Sequence, residues 1–214
     1  MTRIERYDLG DYPFPELVRD ILGVRDLEYL RCEAEAGAGW SIYKTMEASP
    51  HYKRLRAALL GGRGGKFHEL YRRFVAERIR PAFAGPILYQ ACPTVRLLFV
   101  DAGGEPRFHR DSDYGHDPAE INYTVPLTEM FASNAIWIES KPDAGDFGPI
   151  ELKPGQFARF DGASLRHGAI ANGTGRSRVS FDFRVVREDR RCGQRIAEPG
   201  VPAELDAHIF ARCP

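Results

Sequence analysis

The chain has 214 residues, 43% of them hydrophobic and 11% aromatic, with Lys+Arg and Asp+Glu both at 30 and a formal net charge of zero. That length and apolar content suffice for a packed core and predict a single domain over 1–214 rather than a disordered chain. Balanced charge gives no bulk attraction to nucleic acid or to an anionic membrane, so a small-molecule partner is expected, with a local basic patch the alternative. The polar strand faces further along the chain add that this molecule is polar.

In chain order, the opening "MTRIERYDLGDYPFPELV" has no apolar core of a secretory signal. Residues 1–85 read as a helical buttress. "PELVRDIL" places Pro15 in a first helical turn, and "HYKRLRAALLGG" ends on Gly61 as a C-cap. "KFHELYRRFVAERIRPAF" sets Phe67, Leu70, Tyr71, Phe74, Val75 and Ile79 along one face, with Pro81 near its end. His68 lies among arginines there and is expected at the surface.

From residue 86 the pattern changes to short strands separated by Gly, Pro and Asp. They are "PILYQA", "TVRLLFV", "RFHRD", "EINYTVPL", "NAIWIES", "GPIELK", "QFARFDG", "LRHGAI" and "SRVSFDFRVV". Such a series predicts a β-sandwich, barrel or jelly roll over 86–187. The fold class is therefore mainly β with an N-terminal helical layer. The tail, 188–214, is weakly patterned, with a short helix expected around "PAELDAHIF" and no role for His208. Cys32, Cys92, Cys192 and Cys213 are scattered without a C-x-x-C pair, which speaks against a zinc knuckle or a disulfide framework. Thiols in a reducing cytoplasm are expected, with a Cys192–Cys213 link the alternative. No stretch approaches the roughly 18 apolar residues of a spanning helix.

The segment "FHRDSDYGHD", 108–117, packs three aspartates and two histidines into ten positions. On a strand, residues i and i+2 share a face about 6.6 Å apart. His109 and Asp111 satisfy that rule, whereas Asp113 is too distant and His116 and Asp117 face opposite ways. A third ligand must come from another strand, and His167 in "LRHGAI" is the best placed. Two histidines and one carboxylate leave three positions of an octahedral ion open, the arrangement typical of non-haem Fe(II) oxygenases.

"SRVSFDFR" alternates, with Val179, Phe181 and Phe183 on one face and Arg178, Ser180, Asp182 and Arg184 on the other. A half-buried strand ordinarily turns such a polar face to water. If Arg178 instead points into a cavity, it needs an anionic partner, and a ligand carboxylate held by Arg178 and Ser180 would serve.

The combination "HRD", His167 and "RVS", with Arg178 eleven residues after His167, resembles the H-x-D … H … R-x-S pattern of the Fe(II)/2-oxoglutarate-dependent oxygenases. "HRDSDYGHDPAEIN", "WIES" and "FDGASLRHG" also resemble small oxygenase-like proteins of streptomycin-type antibiotic clusters. The resemblance spans about residues 86–187 and implies a double-stranded β-helix, a jelly-roll fold shared with cupins. It implies Fe(II) on His109, Asp111 and His167, with the distal carboxylate of 2-oxoglutarate on Arg178 and Ser180. With O2, the implied reaction is hydroxylation or a related C–H oxidation, because halogenating relatives lack the carboxylate that Asp111 supplies. In similar enzymes the strand that Asn122 occupies often adds a hydrogen bond to the cosubstrate; the other reading of Asn122 is a surface amide or turn residue.

Other candidates are less determined. Tyr114 and His116 could cover the cavity mouth or contact substrate, or lie on an ordinary loop. Trp137 and Glu139 share a face, with core packing the plainer reading for Trp137. Asp182 could bind a cationic or hydroxylated substrate, or pair with Arg178 or Arg184. The competing function is a cupin-like metal enzyme, an isomerase or dioxygenase that does not use 2-oxoglutarate and has no need of Arg178 and Ser180. A ligand-binding module of the same fold is the other alternative.

Overall fold

The computed structural model describes residues 2–32, 41–60, 65–100, 102–104, 107–193, 195–196 and 209–213. The chain starts with a strand, β1 (Arg3–Arg6), ahead of helices α1 (Phe14–Leu22), α2 (Ile42–Ala48), α3 (Pro50–Leu60) and α4 (Lys66–Phe74). Strands β2 (Ile87–Gln90), β3 (Thr94–Leu98), β4 (Ile121–Pro126), β5 (Ile136–Ile138), β6 (Gly148–Ile150) and β7 (Gln156–Phe160) follow. The last elements are β8 (His167–Gly168), β9 (Arg178–Arg187), β10 (Arg195–Ile196) and β11 (Ile209–Arg212).

Helix α1 carries Pro15 in its first turn and ends at Gly23, whose N–H donates to the Arg19 and Asp20 carbonyls at φ 70°. That left-handed conformation is the one glycine adopts without a Cβ penalty. Beyond α4 the chain continues as a π-helical turn over Val75–Ile79 and a 3-10 turn over Arg80–Ala82, which contains Pro81. His68 is not at the surface as expected but buried at 3% exposure. It shares a stripe with Tyr71 and Val75, at i+3 and i+7, so helical periodicity places it on the apolar side. Gly61, the expected cap of α3, lies outside the described residues.

Two sheets form, antiparallel throughout except for the parallel β10–β11 pair. The larger sheet has the order β1-β7-β4-β9-β2-β11-β10, with β3 also paired to β9. β9 is its spine: β4 runs along one edge, while β3 (at 178–182) and β2 (at 185–187) share the other. The smaller sheet has the order β6-β5-β8. The segment "RFHRD" is not a full strand. Only His109 keeps a β-bridge, to His167, and the chain turns into a 3-10 helix at Asp111. The helix expected around "PAELDAHIF" is also not found at its end. Ile209 and Phe210 belong to β11, antiparallel to β2, and 202–208, His208 included, lie outside the described residues.

Strand alternation sorts β9 as its sequence requires. Val179, Phe181, Phe183 and Val185 are fully buried under the helices. Phe14 meets Phe181 at 4.9 Å between ring centroids, and Tyr71 meets Phe183 at 5.2 Å. The opposite face, with Arg178, Asp182 and Arg184, looks into a cavity between the two sheets. A second apolar cluster, including Ile136, Ile150, Phe160 and Leu165, supports the smaller sheet. Among the described residues the four cysteines form no disulfide, and no helix is long and apolar enough to cross a membrane.

Candidate metal centre and its cavity

The segment after β3 is stitched to the β7–β8 connection by its own backbone. His109 and His167 exchange N–H···O bonds of 3.1 and 2.9 Å, and the Asp111 N–H donates to the Gly162 carbonyl at 2.9 Å. The Ser112 hydroxyl donates to the Ala163 carbonyl at 2.7 Å, and Arg110 Nε to the Ser164 carbonyl at 2.9 Å. Asp113 closes the turn by accepting the Arg110 N–H at 3.0 Å, so its carboxylate is engaged in shaping the loop. These contacts bring His109, Asp111 and His167 together without an extended strand.

One ligand atom of each of the three lies within 4.8 Å of the others. Asp111 Oδ1 is 3.8 Å from His109 Nε2 and 3.6 Å from His167 Nε2. Those separations are too long for hydrogen bonds. They suit atoms that each sit about 2.0–2.2 Å from one ion. His167 Nδ1 lies 3.0 Å from the Leu165 carbonyl. A carbonyl only accepts, so Nδ1 carries the proton and Nε2 presents its lone pair to the centre. Two imidazole nitrogens and a carboxylate oxygen, partly buried and grouped on one side, fit Fe(II) or a similar divalent metal.

The second oxygen of Asp111 faces the larger sheet. Oδ2 accepts from Asn122 Nδ2 at 2.6 Å and from Arg184 Nε at 2.8 Å, and forms an ion pair with Arg184 Nη2 at 2.8 Å. Burial pushes this carboxyl up, but Arg184, His167 and the Asn122 amide outweigh it and hold the group at about 2. Arg184 was not singled out by the sequence; its place in the polar alternation of β9 was the available signal. Glu120 stands 3.7 Å from Arg184 Nε and 3.0 Å from His116 Nδ1, extending the network to the loop.

The cavity has a volume of about 670 Å³ and is lined by His109, Asp111, Tyr114, His116, Asn122, His167, Arg178, Asp182 and Arg184, among others. Arg178 is 3% exposed and donates through Nη1 to the Asn134 carbonyl at 3.0 Å. Ser180, on the same face, is buried, and among the described residues its Oγ has no hydrogen-bond partner. The buried Gln90 Oε1 and Asn122 Oδ1 are likewise without partners among the described residues. A buried guanidinium and unsatisfied polar atoms around one cavity fit a small polyanionic ligand such as 2-oxoglutarate.

Several of the candidates read from the sequence take other places. Asn122 lines the cavity, but its amide N–H is donated to Asp111. Among the described residues Asp182 pairs with neither Arg178 nor Arg184. Its oxygens accept from Arg96 Nε at 3.1 Å and from the Thr124 hydroxyl at 2.8 Å. Trp137 and Glu139 do not reach the cavity, because alternation along β5 turns Ile136 inward instead. Trp137 donates to the Ala132 carbonyl at 3.1 Å. Glu139 is buried and clasps Arg166, accepting its backbone N–H at 2.7 Å and its Nε at 3.2 Å, directly before His167. Tyr114 is exposed, with its ring edge-on to His109 at 5.0 Å.

The sheets have the fold of non-haem iron oxygenases and related epimerases. The non-haem monooxygenase ThoJ, solved as a nickel complex, superposes with a TM-score of 0.57 at 13% identity, covering 95% of this chain and 79% of that one. The epimerase SnoN from nogalamycin biosynthesis gives 0.51 at 15% identity, over 100% and 93% of the two chains. EctD from S. alaskensis gives 0.51 at 16% identity, over 89% and 74%. The chain belongs to the family of StrG, a streptomycin biosynthesis protein of Streptomyces griseus, with 32% identity over 185 residues that cover 86% of this chain and 84% of StrG. No family model matches the sequence.

Proposed function

We propose that the protein is an Fe(II)/2-oxoglutarate-dependent oxygenase with a double-stranded β-helix core. It oxidises a C–H bond of a small polar molecule in natural-product biosynthesis. The observation that carries this reading is the His109–Asp111–His167 cluster opening into the same cavity as the buried Arg178. Iron would be held by those three side chains, and the distal carboxylate of 2-oxoglutarate by Arg178 and Ser180. Iron held there with 2-oxoglutarate and O2 would supply the oxidising power for C–H oxidation.

The chain's own residues do the positioning. The bond from His167 Nδ1 to the Leu165 carbonyl fixes the imidazole tautomer. Glu139 steadies the residue before it. Arg178 brings a buried positive charge to the cavity wall, and a ligand carboxylate matches a guanidinium in both charge and fork geometry. The larger sheet, α2, α3 and the segment that carries Arg107 and Tyr114 all line the cavity around the site. The polar lining favours a hydrophilic substrate. The relationship to StrG supports a place in antibiotic biosynthesis.

The test is anaerobic addition of Fe(II) and then 2-oxoglutarate to the purified protein, with the visible spectrum recorded. A weak charge-transfer band that requires both components is expected. Arg178→Ala should weaken it, and Asp111→Ala should abolish substrate-coupled oxidation. Bound iron without any band would move the reading to a cupin-like enzyme that does not use 2-oxoglutarate. Full activity in Asp111→Ala would sink the ligand assignment.

A further inference from the structure

The two oxygens of Asp111 are unequally engaged. An arginine commonly meets a carboxylate through two parallel bonds, one to each oxygen. Arg184 does otherwise: Nε and Nη2 both lie 2.8 Å from Oδ2. Asn122 Nδ2 also donates to that same oxygen, at 2.6 Å. Oδ1 carries none of these bonds and faces the Nε2 atoms of the two histidines.

The surroundings enforce this arrangement. Asn122 and Arg184 are direct partners in the β4–β9 ladder, so both project from neighbouring positions into the cavity. Glu120, buried and 3.7 Å from Arg184 Nε, draws on the guanidinium from another side. Gly162 leaves the space that the Asn122 amide occupies. A Cβ there would lie 2.6 Å from Asn122 Nδ2 and 2.7 Å from its Cγ. The carbonyl of the same glycine holds the Asp111 backbone N–H at 2.9 Å.

We infer that Arg184, with Asn122 beside it, is a positioning residue that gives Asp111 to the metal through Oδ1 alone. The inference rests on the iron reading above and states how that site keeps its open positions. For Asp111 to chelate through both oxygens, Oδ2 would have to leave its hydrogen bonds to Asn122 Nδ2 and Arg184 Nε and its ion pair with Arg184 Nη2, inside a buried site. A carboxylate bound by one oxygen leaves three positions of an octahedral ion beside two imidazoles. A chelating one leaves two, too few for a bidentate cosubstrate and O2 together.

The experiment uses the full chain with 13C-carboxyl-labelled aspartate. Anaerobic Fe(II) titration gives the affinity. An infrared difference spectrum, with and without metal, gives the spacing between the antisymmetric and symmetric carboxylate stretches. That spacing is wide for one-oxygen ligation and narrow for chelation, and a residue that only stabilises the fold would not move it. The wild type should show the wide spacing. Arg184→Gln should narrow it and weaken Fe(II) binding about tenfold or more, the usual cost of losing an outer partner of a metal ligand. Arg184→Lys, which keeps one charged donor, should largely restore the wide spacing. If Arg184→Gln does not fold, Asn122→Ala carries the same test. A narrow spacing in the wild type, or a wide one in Arg184→Gln with affinity within about twofold, overturns this inference alone. Failure of the wild type to take up Fe(II) overturns the iron reading and this inference with it.

Discussion

Gly162 joins the two halves of the candidate centre at the scale of a single residue. Its carbonyl fixes the Asp111 backbone, and its missing side chain makes room for the Asn122 amide. Gly162→Ala must therefore push Asn122 off Asp111 Oδ2 or shift the loop. We expect a loss of about 1–3 kcal/mol in stability, as for overpacking elsewhere, with weaker metal uptake. Denaturant unfolding of the apo-protein and Fe(II) titration would measure the two effects; wild-type values for both would show that the loop relaxes at no cost. Glu139 makes a second residue-scale case. Glu139→Gln removes the charge that holds Arg166 and should lower metal affinity without altering the cavity lining, because Glu139 lies outside it. His109 and Asp111 were legible from their i, i+2 spacing, although the strand that argument assumed is a single bridge followed by a turn. Arg184 was not legible. Its alternating position put it on the polar face, but its partner is 73 residues away in sequence and only the fold brings them together.

β9 and the layers on its two sides set the element-scale behaviour. Its apolar face buries Phe181 completely beneath Phe14 and Phe67. Phe181→Ala should cost about 3–5 kcal/mol by cavity formation, read from the denaturant midpoint, and a loss under about 1 kcal/mol would mean that the layer collapses to fill the gap. The same layer predicts an alkaline limit. Burial pushes the Tyr7 phenol up to about 12, and it raises Tyr123 strongly as well. Both stay protonated in the fold at a pH where the unfolded chain, with phenols near pH 10, has begun to ionise. Their contribution is thus fully present below about pH 10 and is lost as pH rises through the folded values. The Tyr123 hydroxyl has no hydrogen-bond partner among the described residues. Tyr123→Phe should then lie within about 1 kcal/mol of wild type at pH 7 and lose less stability between pH 10 and 12. An unchanged alkaline limb in this variant would assign the limit to other groups. The strands themselves were readable from alternation and turn residues. β1 was not, because four residues rich in arginine and glutamate carry no apolar stripe and become a strand only by pairing with β7.

At the scale of the whole molecule, the helical layer is more than a support for the sheet. Helix α2 presents Tyr43 and Glu47, and helix α3 presents Tyr52 and Arg56, to the same cavity as the metal cluster. Each pair is spaced i, i+4, so each helix turns one face toward the opening. The sequence alone gives these residues no role, since an i, i+4 pair of a tyrosine and a charge on a short helix looks like an ordinary solvated face. Only the packing of the helices beside β3 discloses them. On the proposed reading, the two ends of the site divide the work. Arg178 and the triad hold cosubstrate and iron, while the two tyrosines, Glu47 and Arg56 meet a substrate with apolar ring faces and a polar rim. Substitutions should therefore separate. Tyr52→Ala and Arg56→Ala should raise the KM of the substrate several-fold, while the Fe(II)- and 2-oxoglutarate-dependent band keeps its wild-type intensity and midpoint. Arg178→Ala should do the reverse, weakening the band before any substrate is added. Substrate-stimulated turnover of 2-oxoglutarate, read beside the anaerobic spectrum, distinguishes the two patterns. If the helical variants weakened the band as strongly as Arg178→Ala, cosubstrate and substrate would share one end of the cavity. The helices would then be framing the iron site instead of choosing what enters it.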